Sequence, residues 1–404
     1  MQQGVTREEQ PVLEAAAAGR LLERVESWAK VNSGSRNLGG LAQMAGLLAD
    51  EFSALPGRVE LLDAEPVEAM EPDGSLRPLE HGRNLRVRVR PEAPVQLLFT
   101  GHMDTVYGAD HPFQRLEWLG NKVLRGPGVA DMKGGLAVML VALKALELSP
   151  LAERVGYEVL INSDEEVGSP GSAPLIALAA RGKKAALTYE PSALPDGTLA
   201  GARPGSGNFS LLVRGRSAHA GRDPENGRNA LVAASDLALR LYAARRPGLS
   251  VNPAKIDGGG PNNVVPDQAV LRVNLRPRAP EDQAEAQRLI DEAVAAVSAE
   301  HDVRIHVHGG WGRPPKPLDA RAEALFGLVK RCGADLGQEI GWRDSGGVCD
   351  GNNIAACGVP VVDTMGVRGG SIHSPDEYLI VESLAERAQL SALTVLRLAQ
   401  GEAL

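Results

Sequence analysis

The sequence predicts an α/β fold in which a mixed, mostly parallel sheet flanked by helices is interrupted by a smaller α+β domain. Apolar strand patterns alternate with helical patterns in residues 84–191, which is typical of a parallel sheet covered on both faces. The pattern changes between two segments rich in glycine or proline, GARPGSG (201–207) and WGRPPKPLD (311–319). After the second segment the first pattern resumes, so we interpret the middle of the chain as an insertion.

The first part of the chain supplies most elements of the main sheet. Apolar residues recur at helical spacing from Pro11 to about Leu55, with a turn-forming break at VNSGSRN (31–37). Next come a predicted helix at 134–148 and predicted strands at 84–91, 95–101, 155–166 and 183–191. Ligands of such sheets bind beyond the carboxyl ends of the strands, and a histidine and several acids lie at those ends.

The inserted part shows a β-α-β-β-α-β order. Its elements are a strand from Asn208, a helix at 229–244, strands at 251–256 and 268–277, a helix at 280–299 and a strand at 302–309. This order predicts a ferredoxin-like sandwich of helices on one sheet. We therefore predict a main domain in residues 1–203 and 312–404, and an inserted domain in residues 204–311.

Composition excludes several classes of protein. The 404 residues are 43% hydrophobic and 23% charged, as in soluble globular proteins. A net charge of −8 without a long basic run, and an aromatic content of 3%, argue against nucleic acid and membrane partners. The three cysteines do not form a disulfide framework. Since no signal peptide or apolar stretch of roughly 20 residues is present, we expect a cytoplasmic protein.

A histidine and an aspartate follow the predicted strand 95–101, in the motif GHMDTV. His102 is a good ligand for zinc in its neutral form. Asp104, two residues on, lies on the same side of an extended chain and can accept the other ring N–H of His102. A loop histidine next to a helix cap is the alternative interpretation.

Acids follow the other strands. Asp131 precedes the helix at 134–148, where it can cap the helix or bridge two cations about 3.5–4 Å apart. Asp164, Glu165 and Glu166 are consecutive, and a cation would offset their repulsion. Two adjacent glutamates can divide the roles of metal ligand and general base. A solvated acidic turn is the alternative.

Two further residues complete a possible metal site. Glu190 ends the strand in LTYEPS, and His373 lies in the loop GSIHSPDEYL. Each is weak alone. With His102, Asp131 and Glu166 they supply two imidazoles and three carboxylates, in addition to one spare glutamate, which suits two zinc ions.

The motifs GHMDTV, GPGVADMKGG, SDEEVGS, TYEPS, GRSAHAG and IHSPDEY, in this order, resemble the zinc aminoacylase/carboxypeptidase family. This family includes glutamate carboxypeptidases, succinyl-diaminopimelate desuccinylase and acetylornithine deacetylase. The likeness runs from about Ala15 to the C-terminus and is greatest to the glutamate carboxypeptidase branch. It implies hydrolysis of an amide bond next to a free carboxylate in a small peptide or N-acyl amino acid. It also implies a homodimer formed through the inserted domain.

The resemblance assigns the metal ligands. His102 and Glu190 would bind one zinc ion, His373 and Glu166 would bind the other, and Asp131 would bridge them. Co²⁺ or Mn²⁺ would be possible substitutes. The family often has a cis peptide bond after the bridging aspartate, here between residues 131 and 132.

The resemblance also assigns catalytic and substrate-binding residues. Glu165 would be the general base, Asp104 would orient the imidazole of the first zinc ligand, and His219 would hold the oxyanion in the active site of the other subunit. Substrate binding is expected at Asn263, Arg276 and Arg368. Cys349 stands where relatives usually carry serine or threonine, so a hydrogen bond made by a hydroxyl there is expected to be lost.

Several functions remain open at this point. The same residues would serve a glutamate-type carboxypeptidase, an N-acyl amino acid deacylase or a dipeptidase. A catalytically silent, metal-binding dimeric scaffold is a different class, which chelator-sensitive activity would exclude. Nucleophilic catalysis through Cys349 or Ser345 is a third class and predicts activity that survives chelators.

Overall fold

The computed structural model describes residues 4–120 and 122–404, so residues 1–3, on which the predicted location partly rests, lie outside it. The helices are α1 (Gln10–Ala17), α2 (Leu21–Ala29), α3 (Leu38–Phe52), α4 (Gly135–Leu146), α5 (Ala173–Ala180), α6 (Ala230–Ala243), α7 (Pro280–His301), α8 (Ala320–Asp335), α9 (Asp350–Ala356) and α10 (Ser383–Gln400). The strands are β1 (Arg58–Leu62), β2 (Val67–Met70), β3 (Leu76–Leu79), β4 (Asn84–Val89), β5 (Val95–His102), β6 (Glu117–Trp118), β7 (Val123–Arg125), β8 (Val155–Asn162), β9 (Ala185–Thr188), β10 (Leu199–Ala200), β11 (Ser206–Arg214), β12 (Leu249–Gly258), β13 (Gln268–Pro277), β14 (Arg304–Arg313), β15 (Trp342–Arg343), β16 (Val361–Val362), β17 (Gly369–Gly370) and β18 (Tyr378–Ile380).

The central sheet has the strand order β1-β4-β8-β5-β9-β16. Strands β8, β5, β9 and β16 run parallel to one another, whereas β4 runs antiparallel to both of its neighbours, β8 and the edge strand β1. The predicted mixed, mostly parallel sheet flanked by helices is therefore confirmed. Because β5, β8 and β9 are parallel, the segments that follow them meet at one edge of the sheet.

Helices cover both faces of the central sheet. In β5, Leu97 and Phe99 belong to the large core shared with α1, α2, α4 and α10, while Leu98 belongs to a second core with α5 and α9. Burial of both faces explains the continuous apolar run in this strand.

The break between the helices α1 and α2 was not predicted. A Cβ atom on Gly19, between α1 and α2, would lie 2.5 Å from Val141 Cγ1, so this contact requires a glycine.

The inserted sheet has the order β12-β13-β11-β14 and is antiparallel throughout. Helices α6 and α7 pack on it around a core of its own. The predicted β-α-β-β-α-β order and ferredoxin-like arrangement are confirmed. The hairpin β2–β3, which was not predicted, also reaches this sheet, because Met70 packs with Leu212 and Val270. The predicted domain limits fall near the start of β11 and the end of β14, and the division into domains remains a prediction.

The two glycine- and proline-rich segments are held more firmly than linkers would be. Arg203 and Lys316 exchange two backbone hydrogen bonds, at 2.9 and 3.0 Å. Both side chains reach the buried carboxylate of Asp363. In the part of the chain that the structure describes, no helix combines the length and apolar character needed to cross a bilayer.

Candidate metal centre and active site

The first candidate ligand group joins His102, Asp131 and Glu190. His102 ends β5, Asp131 lies in an irregular turn before α4, and Glu190 follows β9. His102 Nε2 is 3.1 Å from Asp131 Oδ1 and 3.6 Å from Glu190 Oε2, and all three residues are buried. Glu190 Oε1 is buried without a hydrogen-bond partner among the described residues, so an acceptor remains for a cation.

The second candidate ligand group joins the same Asp131 to Glu166 and His373. His373 Nε2 is 3.3 Å from Asp131 Oδ2 and 3.1 Å from Glu166 Oε2. The two oxygens of Asp131 therefore face two different histidines, as expected of a carboxylate that bridges two metal ions. The His373 side chain is 54% exposed and its φ is 60°, in a loop held between β17 and β18. This φ is uncommon for a residue other than glycine. The Asp131–Met132 peptide bond is cis, as predicted.

The electrostatics of both ligand groups favour a cation. Burial raises the pKa of Glu190, and burial together with Asp131 raises the pKa of Glu166 to about 7. Contacts with Asp131 and Glu166 raise the pKa of His373 to about 11. Crowded carboxyl and imidazole groups retain protons when no other positive charge is near, and divalent cations displace such protons. The donor set of imidazoles and carboxylates fits two zinc ions.

Asp104 supports both ligand groups. His102 Nδ1 lies 3.0 Å from the backbone oxygen of Asp104 and 3.4 Å from the predicted acceptor, the carboxylate oxygen Oδ1 of Asp104. Its carboxylate also accepts hydrogen bonds from the backbone N–H groups of Glu165 and Glu166, at 3.1 Å each, and from Ser35 Oγ at 2.7 Å. One buried aspartate therefore positions a ligand of each group and the predicted base.

Glu165 lies beside the ligand groups without belonging to either. It lines a cleft of about 520 Å³ together with Asp131, Glu190 and His373. Burial raises the pKa of Glu165 well above its usual value, against the opposing effect of Arg313. A carboxyl group with a raised pKa next to a metal site is suited to accept and return a proton.

Glu377 is a buried residue of this region that was not predicted. Its Oε1 accepts hydrogen bonds from the backbone N–H groups of Ala130 and Asp131, at 2.9 and 3.0 Å, and its Oε2 accepts one from Tyr107 at 2.9 Å. It therefore fixes the turn that presents the Asp131 carboxylate to both ligand groups. In the sequence, Glu377 was visible only as an acid four residues after His373. The partners of Glu377 lie far away in the chain, so its role could not be inferred.

Of the three residues predicted in the inserted domain, the structure places His219 and Asn263 close to each other and Arg276 away from both. His219 is exposed, and its Nδ1 accepts hydrogen bonds from two backbone N–H groups of its own loop. Asn263 lies beside this loop, because its carbonyl accepts a hydrogen bond from Ala220. Arg276 lies at the other end of β13, where its Nη1 donates to the Gly346 carbonyl at 3.2 Å.

Arg368 and Cys349, which were also singled out in the sequence, lie in surroundings that do not suit the roles considered for them. The Arg368 guanidinium is engaged by Glu386 and Glu382, at 3.0 and 3.1 Å, and is not among the described residues that line the metal cleft. Cys349 lines that cleft, but burial raises the pKa of its thiol well above the usual value. No described histidine hydrogen-bonds to Cys349 or Ser345, so the arrangement does not favour nucleophilic catalysis by either residue.

Comparisons with known proteins agree with this geometry. The model of peptidase family M20/M25/M40 matches residues 98–397. The chain is 34% identical over 334 residues to carboxypeptidase G2 of Pseudomonas sp. (strain RS-16), a match that covers 80% of this chain and 78% of that protein. It is 28% identical over 320 residues to succinyl-diaminopimelate desuccinylase of Marinobacter nauticus, covering 74% of this chain and 82% of that protein.

Solved structures share the fold. Aminopeptidase PepT from Bacillus cereus superposes with a TM-score of 0.66 at 23% identity, covering 93% of this chain and 97% of that one. The YXEP protein of Bacillus subtilis, a dinuclear metal-binding peptidase, superposes with a TM-score of 0.66 at 16% identity, covering 95% and 99%. Because the family model spans most of the chain, the protein belongs to peptidase family M20/M25/M40 and is a metal-dependent peptidase or amidohydrolase.

Proposed function

We propose that the protein is a carboxypeptidase-like hydrolase that cleaves an amide bond next to a free carboxylate with two zinc ions. The position of Asp131 carries this proposal, because its two oxygens face His102 and His373 in separate ligand groups. Glu165 lines the same cleft and is free of both groups. Co²⁺ or Mn²⁺ are the alternatives that such imidazole and carboxylate donors accept.

The proposed reaction is an attack of water on the amide carbonyl. When bound, the two zinc ions supply Lewis acidity, which acidifies a water molecule and polarises the carbonyl. Glu165 takes a proton from the attacking water and passes it to the leaving nitrogen. His219 of a second copy donates a hydrogen bond to the oxyanion. Asp104 keeps the backbone of Glu165 in place.

Arg276 is the proposed partner of the free substrate carboxylate, since a guanidinium suits a carboxylate. It is half-buried, and no carboxylate of the described residues pairs with it. Arg203 and Ser345 line both the metal cleft and the adjoining cleft of about 740 Å³ that contains Arg276, so one substrate can reach both. Likeness to carboxypeptidase G2 favours a glutamate-like C-terminal residue. Likeness to desuccinylases favours N-acyl amino acid deacylation as the second candidate, with dipeptide hydrolysis as the third.

A homodimer is the proposed way to complete this site. The eight-residue separation from Gln268 to Arg276 in β13, at about 3.4 Å per residue, places the His219 end about 27 Å from the Arg276 end. Strand β12 is an edge strand of the same sheet. If β12 pairs with its copy about a two-fold axis, the strands run antiparallel. The His219 end of the second copy then lies beside the Arg276 end of the first.

Helix α6 supports the same interface. It packs on β12 and so lies at this edge of the inserted sheet. Its residues Val232 and Leu239 are 53% and 68% exposed, and Tyr242 is also exposed. These three side chains recur at intervals of seven and three residues, which places them on one face of the helix. A second copy would cover this apolar face.

Replacement of Glu165 tests the proposed function. We expect the zinc-loaded protein to hydrolyse at least one member of a panel of peptides with C-terminal glutamate, N-acyl amino acids and dipeptides, and to lose this activity to a chelator. Glu165→Gln should lower kcat at least about 100-fold, because it removes proton transfer. Zinc content should be unchanged, and Glu92→Gln, at an exposed glutamate, should behave as wild type.

Other outcomes contradict parts of the proposal. Loss of zinc from Glu165→Gln would reverse the roles of Glu165 and Glu166. Activity that survives the chelator would exclude a metal-activated water. A dimer that binds two metal ions and hydrolyses no member of the panel would favour the catalytically silent scaffold.

A further inference from the structure

Arg313 is a buried arginine at the end of β14, where the chain leaves the inserted sheet, and its side chain is 3% exposed. Its Nη2 donates to Glu165 Oε1 at 2.6 Å, to the Glu165 carbonyl at 3.2 Å and to Ser169 Oγ at 3.0 Å. Its Nη1 donates to Asp350 Oδ1 at 2.7 Å and to Asn353 Oδ1 at 2.9 Å. The guanidinium therefore joins the inserted sheet, Glu165 and α9.

These contacts occupy both terminal nitrogens of Arg313. Among the described residues, the half-buried Arg276, in contrast, donates only to a backbone carbonyl and to a neighbouring amide. A substrate carboxylate could pair with the terminal nitrogens of Arg313 only by displacing Glu165 or Asp350, each of which Arg313 binds in a buried ion pair. Breaking such a pair leaves an uncompensated buried charge. Arg313 is therefore placed to hold protein groups rather than substrate.

The same contacts fix the orientation of Glu165. Its backbone N–H is held by Asp104, and its carbonyl and Oε1 are held by Arg313. No described donor hydrogen-bonds to Glu165 Oε2, which leaves this oxygen available for proton exchange. Catalytic groups lose rate steeply when they are displaced by about 1 Å. The contacts of Arg313 Nη2 with Oε1 and with the backbone carbonyl of Glu165 would hold the other carboxylate oxygen at the required position.

We propose that Arg313 is a positioning residue, which orients the Glu165 carboxylate for proton transfer and so couples the inserted sheet to the chemical step. This proposal rests on the proposed role of Glu165 as the general base. The segment through which the chain leaves the inserted sheet would then take part in the reaction, which a simple linker would not.

Arg397 provides a matched control. Its side chain is 4% exposed, and its Nη1 donates to Asp335 Oδ2 at 2.6 Å, with Glu9 at 3.4 Å. It is a buried arginine with carboxylate partners, but α10 holds it outside the residues that line the metal cleft. A purely structural role for Arg313 would make the two arginines equivalent.

The experiment compares Arg313→Ala, Arg313→Lys and Arg397→Ala in the zinc-loaded full chain. We expect Arg313→Ala to lower kcat by about 100-fold with KM changed less than about threefold. Zinc content should remain at the wild-type value. Millimolar methylguanidine should restore kcat at least about tenfold in Arg313→Ala and not in Arg397→Ala or Glu165→Gln. Arg313→Lys, which keeps the charge and reaches fewer partners, should fall between wild type and Arg313→Ala.

Three results would overturn the positioning role: an unchanged kcat, a rise in KM at constant kcat, or a kcat loss that methylguanidine does not restore. If Arg313→Ala does not fold, Arg313→Lys takes its place in the kinetic comparison. Crystal structures of the Arg313 variants give a test without turnover, since the Glu165 carboxylate should leave its position there and keep it in Arg397→Ala. If wild type hydrolyses nothing but Glu165 moves as expected, the proposed function fails and the positioning contact stands.

Discussion

The central sheet and the inserted sheet bring polar side chains together in different ways. In the central sheet, β5, β8 and β9 are parallel, so His102, Glu165 and Glu190 all arrive at the same edge. In the inserted sheet, neighbouring strands are antiparallel. His219, after β11, and Arg276, near the end of β13, therefore lie at opposite ends of the strands of this sheet.

This difference bears on how each part can build a site. Parallel strands gather the residues that follow them within one chain. Antiparallel strands separate such residues by the length of the sheet, and a symmetric second copy is the simplest way to bring the two ends together. Activity that depends on the central sheet should therefore be lost when one shared residue is changed. Activity lost through a change in the inserted sheet should be restored by a second chain that carries the native residue.

The largest effect is expected in the central sheet, at Asp131. Asp131→Asn replaces one of the two carboxylate oxygens and removes the charge that both ligand groups share, so both metal ions should bind weakly. We expect the metal content to fall from about two to below one ion per chain, and kcat to fall on the order of 10³-fold or more. Metal analysis and steady-state kinetics measure both quantities.

Asp376→Asn is the control for this change. Asp376 lies three residues after His373, but its side chain is exposed, and the ion pair that its carboxylate forms among the described residues is with Arg125, at 3.5 Å. It should leave metal content and kcat near the wild-type values. Two tightly bound ions in Asp131→Asn would contradict a bridging role.

A smaller effect is expected in the inserted sheet, at His219. Loss of one oxyanion donor costs about 2.7–4 kcal/mol, so His219→Ala should lower kcat by about 10²–10³-fold at normal zinc content. Mixing this variant with Glu165→Gln should restore activity, because one site of each heterodimer would hold both native residues. With random exchange of subunits, about a quarter of wild-type activity is expected.

The control for the mixing experiment carries both substitutions in one chain. Mixed with Glu165→Gln, it should restore nothing. If the two single variants also restore nothing after subunit exchange, His219 does not act across the dimer. Unchanged kcat in His219→Ala would remove its role altogether.

The same difference explains which residues the sequence alone could predict. The predicted residues His102 and Glu190 each follow an apolar run, and a parallel sheet brings such positions together whatever the details of packing. Their convergence depended only on strand direction. The ferredoxin-like order was equally readable from element lengths and periodicity, because each element buries one face.

Arg313 and Glu377 could not be predicted in this way. Arg313 holds a residue 148 positions earlier in the chain, and Glu377 holds one 246 positions earlier. Periodicity reports which face of an element is buried and carries no information about its partner. The prolines after Arg313 also indicated a linker, although the structure continues β14 through this residue. These residues became visible only when distant segments were placed side by side.

The smallest expected effect concerns Asp363, which holds the two segments through which the chain enters and leaves the inserted sheet, called here the first and the second crossing. Its Oδ2 lies 2.8 Å from Arg203 Nε in the first crossing and 2.7 Å from Lys316 Nζ in the second. Burial alone would raise the pKa of Asp363, but these two cations lower it to about 2 from an ordinary value of 3.8. A lowered pKa stabilises the folded state above the ordinary value, and this stability disappears as the pH falls from about 4 to 2.

Urea unfolding at pH 4 and pH 2 measures this contribution. We expect the wild type to lose about 2 kcal/mol of unfolding free energy through this group over that range. Asp363→Asn should be less stable by about 3–5 kcal/mol at pH 7, because it leaves Arg203 and Lys316 buried without a counter-charge. Since the variant lacks the titrating carboxyl, its deficit relative to wild type should shrink by about 2 kcal/mol on acidification. A deficit that stays constant with pH would mean that the carboxylate charge of Asp363 does not hold the crossings, and that their backbone hydrogen bonds are sufficient.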